Sequence, residues 1–203
     1  MADCIVPMRD KTVIGFGHKM GTGKDTAAET LVQNHGYANV KYADKLKELC
    51  ASLFGWNRDL LEDPQFKDMK DDFWNITPRR ALQIVGTEAM RNNVRDDIWV
   101  KSLELQIRTG SYHSRYVVTD VRFPNEADAI RQWGGHVFRI DRPGYCGGTH
   151  ASETALDDYT KWDGVIDNTG TVAELHVAVV DMLTTHNIKL REPAGGPTYW
   201  LGP

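Results

Sequence analysis

A chain of 203 residues suits one α/β domain with room for a small inserted subdomain, and it is long enough to bury an ordinary core. Its 24 basic and 28 acidic residues leave a formal charge of −4, which excludes the basic surplus of a nucleic-acid binder but not a small anion held by a local cluster. The three cysteines, Cys4, Cys50 and Cys146, are far apart and odd in number, as in a reducing cytoplasm, and no run reads as a signal peptide or approaches membrane-spanning length, so a cytoplasmic protein without a membrane partner is expected.

The first strand is predicted over about Thr12–Gly17, from the apolar run Val13-Ile14-Gly15-Phe16. A glycine-rich turn follows, then a helix from Lys24 to about His35, so that Gly15–Leu31 has the layout of a phosphate-binding loop. Polyphosphate needs many donors at short range, and Gly21 and Gly23 bare the backbone N–H groups that supply them. The helix opening on Lys24, Asp25 and Thr26 aims its unpaired N–H groups and positive dipole end at the same anion. Lys24 would reach the transferred phosphate and Thr26 would touch Mg²⁺. Two positions depart from G-x-x-x-x-G-K-[ST]. His18 stands at the first glycine, and Asp25 separates Lys24 from the hydroxyl, as in the G-K-x-T form of small nucleotide kinases.

A short strand near Asn39–Tyr42 leads into a helix from Ala43 to about Phe54, with Leu46, Leu49, Cys50 and Leu53 on one stripe. Residues 55–76 are polar and mixed and read as a loop-rich excursion. Thr77-Pro78 is a helix start, and helices are predicted over about Pro78–Asn92 and Asp97–Arg108. Tyr116–Asp120 is a buried strand ending in an acid, Pro124–Trp133 a helix, and His136–Ile140 another strand. Residues 141–161 are rich in Gly, Pro and polar groups; within them Cys146 and His150 supply only two of a structural zinc's four ligands. Val165-Ile166 is the last strand, and the capping box Thr171-Val172-Ala173-Glu174 opens a helix to about His186. Alternating strands and helices imply an α/β fold with a mostly parallel sheet flanked by helices, and ligands at the carboxyl ends of its strands, where Gly17 and Asp120 fall.

Several blocks then resemble the bacteriophage deoxynucleoside monophosphate kinases, within the wider nucleoside monophosphate kinase group. They are GKDTAA at Gly23–Ala28, YADKLKE at Tyr42–Glu48, TPRRALQIVGTEAMR at Thr77–Arg91 with DDIW at Asp96–Trp99, VVTDVRFPNEADAI at Val117–Ile130, RPG with HASE ending in Glu153, and DNTGTVAEL at Asp167–Leu175. The blocks span most of the chain in order, and their combination is specific where single blocks are not. The resemblance implies a P-loop kinase domain with an acceptor-binding subdomain over about residues 43–110, a lid over about residues 141–161, ATP and Mg²⁺ as cofactors, and a deoxynucleoside monophosphate as partner, with no nucleic-acid polymer.

Asp120 ends its strand as a Walker-B acid does, to hold Mg²⁺ through water or polarise a substrate contact; the plain alternative is an acid that caps the next turn. Arg122 beside it would sit over the phosphates, where its planar fork suits their oxygens. Arg80, Gln83, Thr87 and Arg91 are spaced to share one helix face fit for a nucleoside monophosphate, whereas the resemblance favours Arg79 for the phosphate; both readings stand. The resemblance adds Asp44, Lys47, Trp99 and Glu153 to the acceptor side, although Asp44 and Lys47 also suit a plain i,i+3 ion pair. Arg142 is the candidate for stabilising transition-state charge from the lid, and His150 a lid contact. Asn168 lies in a turn that in relatives meets adenine, next to a residue that visibly caps the last helix.

The reading is transfer of the ATP γ-phosphate to a deoxynucleoside 5′-monophosphate, supplying precursors for phage DNA synthesis. The alternatives are another small P-loop kinase acting on dephospho-coenzyme A or phosphomevalonate, and a non-catalytic nucleotide-binding module. Tyr199-Trp200-Leu201 is suited to packing on its own domain or on a second copy in a homodimer.

Overall fold

Thr12–Gly17 (β1) is buried from Val13 onward, as a strand covered on both faces must be. This is a computed structural model, and it describes residues 6–110 and 113–191; Cys4 and the Tyr199-Trp200-Leu201 segment lie outside the described residues. Ala38–Val40 (β2), Arg115–Val121 (β3), His136–Asp141 (β4) and Gly164–Asp167 (β5) join β1 in one sheet of order β2-β3-β1-β4-β5. Every pairing in it is parallel. The chain leaves β1 toward β2 but leaves β3 toward β4, so the connections diverge between β1 and β3. A crevice therefore opens at their carboxyl ends, where Gly17 pairs with Val121.

Alternate side chains along the strands feed two cores. Val13, Val118, Val121 and Val137 pack with Leu103 and Ile107 of Ile98–Thr109 (α5) and Ile130 of Pro124–Gln132 (α6). Ile14, Phe16, Val117 and Phe138 pack with Leu31 of Lys24–His35 (α1) and with Val179 and Leu183 of Val172–Thr185 (α8). The predicted capping box at Thr171 forms, with Glu174 reaching back to the Thr171 N–H at 2.7 Å. No helix among the described residues is long and apolar enough to cross a membrane.

Residues 55–76 are more ordered than their polarity suggests. They hold a 3-10 turn at Asp59–Glu62 and a short helix Pro64–Asp68 (α3) whose cap Asp63 accepts from Gln65 N at 2.8 Å. Trp56 and Leu61 pack there with Ala51 of Asp44–Phe54 (α2) and Ala81 of Pro78–Gln83 (α4), a third apolar cluster separate from the two sheet faces.

The helix after Thr77 begins as expected, with the Thr77 hydroxyl accepting from Arg80 N at 3.2 Å. It then departs from 3.6-residue spacing, because Ile84–Arg91 is a π-helix. Gly86 explains the local widening. Its carbonyl accepts the Trp99 indole N–H at 2.9 Å, and its bare Cα lets Leu46 approach so closely that a Cβ would lie 2.6 Å from Leu46 Cδ2. A carbonyl claimed by a side chain is displaced from the regular helical ladder.

Candidate active site at the glycine-rich loop

The loop from His18 to Gly23 turns through three left-handed residues, His18, Gly21 and Gly23, with φ of 96, 79 and 97°. Both glycines are also tight in space. A Cβ on Gly21 would lie 2.5 Å from the Tyr145 ring, and one on Gly23 would collide with Asn168 Nδ2. Asn168 therefore supports the loop from behind, donating from Nδ2 to Thr22 O at 2.9 Å. Its side chain is engaged with the loop rather than offered to a base. Gly23→Ala adds the collision and an unfavourable φ, which together cost about 1–3 kcal/mol. The expected outcome is at least ~10-fold weaker binding of a nucleoside triphosphate in calorimetry; unchanged affinity would remove the loop from the binding site.

Lys24 follows Gly23 as the first residue of α1 and is only 6% exposed. Its Nζ donates to the carbonyls of His18, at 3.3 Å, and Lys19, and lies 3.4 Å from Thr22 Oγ1. Burial, and then the nearby Arg122 guanidinium, pull its pKa down to about 7. An added anion at the loop is the natural partner for this amine. Thr26 sits half-buried in the same first turn, where the resemblance places a Mg²⁺ contact, and its carbonyl accepts from His176 Nε2 at 2.9 Å. Asp25 turns the other way, to Lys41 Nζ at 2.8 Å and the Thr119 hydroxyl at 2.7 Å. Burial raises its pKa, but these two hydrogen bonds outweigh burial and hold it below the usual value.

Asp120 spends both carboxylate oxygens on backbone, accepting from Tyr42 N and Ala43 N at 2.9 Å each. It pins the start of α2 across the crevice rather than capping the turn that follows its own strand. Burial raises its pKa against those two N–H groups. Among the described residues no three His, Cys, Asp or Glu side chains converge as a metal cage.

Arg122 leaves the end of β3 and pairs with Glu153 on the short helix Ala151–Thr154 (α7). Glu153 also accepts from Met20 N of the loop at 3.0 Å, and Lys19 Nζ donates to the Glu153 carbonyl at 2.8 Å. A carboxylate thus occupies loop and arginine donors that suit an anion. His150 caps α7, accepting from Ser152 N at 3.2 Å, and Arg142 lies exposed over the Tyr145 ring at 4.9 Å.

Two cavities flank the loop. One, of about 350 Å³, is lined by Met20, Arg79, Arg80, Gln83, His150 and Glu153. Asp68 holds Arg79 through a fork of 2.5 and 2.9 Å, and Arg79 Nη1 lies 3.6 Å from Met20 Sδ on the loop. Arg80 pairs instead with Glu88 at 2.7 Å. Thr87 does not line this cavity. The other, of about 330 Å³, lies toward β4 and β5 between Thr22, Arg139, Arg142, Tyr145, Asp167 and Thr169.

The expected common face of Arg80, Gln83, Thr87 and Arg91 is not formed. The π-helix turns Arg91 into the interior, where its side chain is 3% exposed and its guanidinium meets Glu126, the Asp96 carbonyl at 2.8 Å and the Phe123 ring at 4.0 Å. Trp99 is likewise a core residue, bound to Gly86 O. Asp44 and Lys47 do not pair with each other; Asp44 meets Arg58 at 3.0 Å and Lys47 meets Glu62 at 2.6 Å. Glu126 and Asp68 carry structural weight that no local pattern announced.

The family model for deoxynucleotide monophosphate kinase matches residues 57–179, more than half of the chain. The chain belongs to this family. It is 35% identical, over 83% of its length and 94% of the relative's, to a protein of Acanthamoeba polyphaga mimivirus to which the same activity is provisionally ascribed. It is 34% identical to the deoxynucleotide monophosphate kinase of Enterobacteria phage T4, over 56% of this chain and 47% of that one. Among solved structures, a sugar kinase from Janibacter sp. HTCC2649 superposes with a TM-score of 0.50 at 14% identity, covering 88% of this chain and 95% of that one. TT1252 from Thermus thermophilus matches equally well, with a TM-score of 0.50 at 14% identity over 86% and 97%. These two likenesses concern the fold alone. The protein is accordingly an enzyme of the kinase class.

Proposed function

We propose that this kinase transfers the γ-phosphate of ATP to a deoxynucleoside 5′-monophosphate, giving the diphosphate in the host cytoplasm as a precursor for DNA synthesis. The observation that carries this reading is the pair of cavities that both take residues of one glycine loop into their walls, each lined by arginine. The cavity toward β4 and β5 suits the donor nucleoside, and the Arg79 cavity suits the acceptor. Residues of about 43–110 then serve as the acceptor subdomain and about 141–161 as the lid.

The attacking atom is an acceptor phosphate oxygen, already anionic near neutral pH, so no general base is required. The work left to the protein is alignment and charge neutralisation. Backbone N–H groups of the loop and α1 hold the donor phosphates, Lys24 lies against the transferred group, and Arg122 spans the two anions once Glu153 is displaced. Arg142 closes from the lid, which also excludes the water that would hydrolyse ATP. Thr26 would hold Mg²⁺ directly and Asp120 through water, and the ion would supply charge neutralisation at the phosphates.

Arg79 is the stronger candidate for the acceptor phosphate, because it faces the loop while Arg80 is drawn to Glu88. Loss of a charge-assisted fork costs about 1.5–3 kcal/mol. Arg79→Ala is therefore expected to raise the acceptor KM ~10–100-fold with the ATP KM little changed. Arg80→Ala changes the acceptor KM only about twofold, as loss of an exposed ion pair should. The reverse order in steady-state kinetics would exchange the two roles.

The deciding experiment is transfer of labelled γ-phosphate from ATP–Mg²⁺ to dAMP, dGMP, dCMP, dTMP, their ribose counterparts, dephospho-coenzyme A and phosphomevalonate. A deoxynucleoside diphosphate product supports the proposal and reveals the base preference. Product from a non-nucleotide acceptor alone would overturn the acceptor assignment, and ATP binding with no transfer at all would favour a binding module.

A further inference from the structure

His18 stands where a phosphate loop ordinarily has glycine, and it keeps a left-handed φ of 96° despite its side chain. The imidazole is 11% exposed. Its Nδ1 is sealed from solvent 2.9 Å from Asp141 Oδ1, yet without hydrogen-bond alignment. The same Asp141 oxygen accepts from Arg139 Nε at 2.7 Å. All three residues line the cavity toward β4 and β5, together with Arg142 and Tyr145. A non-glycine residue that keeps a strained backbone while its imidazole lines an open cavity marks that side chain as a candidate ligand contact.

The chemistry of that ligand follows from the ring. Facing a carboxylate oxygen, Nδ1 carries the hydrogen, because a lone pair there would oppose the oxygen's own. Burial, and next the charge of Arg139, hold the imidazole below its ordinary pKa against the pull of Asp141, so it is neutral near pH 7. A neutral ring with its hydrogen on Nδ1 presents a lone pair at Nε2. Phosphate oxygens are themselves acceptors and gain nothing from that lone pair; a hydroxyl does. We propose that His18 is a donor-nucleotide contact whose Nε2 accepts a hydrogen bond from a sugar hydroxyl, so that this kinase distinguishes ribonucleoside triphosphate donors from their deoxy counterparts. The inference rests on the reading of this cavity as the donor site.

Calorimetric affinities of ATP, 2′-deoxy-ATP, 3′-deoxy-ATP and inorganic tripolyphosphate test it in the wild type and in His18→Gly. The variant restores the residue that the loop conformation favours. His18→Asn, whose side chain tolerates a positive φ, serves as a second variant should the glycine form prove unstable. The wild type should bind ATP about fivefold more tightly than one of the two deoxy donors, as one net hydrogen bond implies. Both variants should bring that ratio close to one. An unchanged ratio in the variants, or no preference in the wild type, overturns the inference while leaving the donor site intact. Equal weakening of ATP and tripolyphosphate would make His18 a phosphate contact and overturn it as well. A wild type that binds neither ATP nor tripolyphosphate would defeat the donor-site reading itself.

Discussion

Lys24→Met is expected to reduce phosphoryl transfer by ~10³-fold or more while the protein stays folded and at least as heat-stable. The two halves of this expectation have one cause. Lys24 is almost wholly buried, and burial followed by Arg122 pulls its pKa from 10.5 to about 7. A cation in that position costs the free protein stability and is repaid only when an anion arrives. Methionine has a similar length and no charge to bury, so packing is kept while the electrostatic contact is lost. The pH dependence has a definite sign. Between about 7 and 10.5 the unfolded chain binds a proton at Lys24 that the folded chain does not, so the wild type gains stability as pH rises through that window. The variant lacks this gain. Melting curves of both proteins from about pH 6.5 to 9.5 should therefore converge as pH rises. Transfer by the variant within tenfold of wild type would remove Lys24 from the chemistry.

The loop was legible because its signals are local. A buried apolar strand, glycines, a lysine and a helix start lie within Thr12–His35, and the structure places β1 and α1 on those residues. Thr77-Pro78 and the Thr171 capping box were readable for the same reason, since a cap and its partners lie within one turn. What could not be read depends on partners far along the chain. The common face of Arg80, Gln83, Thr87 and Arg91 assumed a regular helix. Trp99, thirteen residues after Gly86, takes the Gly86 carbonyl and helps to turn the segment into a π-helix. Asp120 has the sequence position of a metal ligand, but its oxygens are engaged by the backbone of residues 78 and 77 positions earlier, Tyr42 and Ala43. Charge counting also leaves open which carboxylate meets which cation; Asp68 with Arg79 and Glu153 with Arg122 are tertiary choices. The local grammar thus marks the layout of a phosphate-binding loop, whereas the identity of each supporting contact is a property of the fold.

Arg91→Ala should be the most destabilising substitution among the sequence candidates. Arg91 is buried with Glu126, and removing one member of a buried pair leaves the other uncompensated, at a cost of about 3–5 kcal/mol. For a chain of this size that lowers Tm by roughly 10 °C. Burial pushes the Glu126 carboxyl up to about 7 even with Arg91 opposing it, and without Arg91 it rises further. Between the ordinary value of 4.5 and the folded value, the folded state holds the extra proton, so stability falls as pH rises through that window. The variant's window is wider, and its deficit against wild type should be larger at about pH 8 than at about pH 5.5. Activity should fall with stability, because the other Glu126 oxygen accepts from Arg122 N at 2.7 Å and Phe123 N at 3.1 Å, fixing the turn that carries Arg122, the proposed phosphate contact. The defect should therefore appear in kcat rather than as a selective rise in acceptor KM. If Arg91→Ala instead melts within about 2 °C of wild type while the acceptor KM rises tenfold or more, the buried pair opens when substrate binds, and Arg91 is a ligand contact after all.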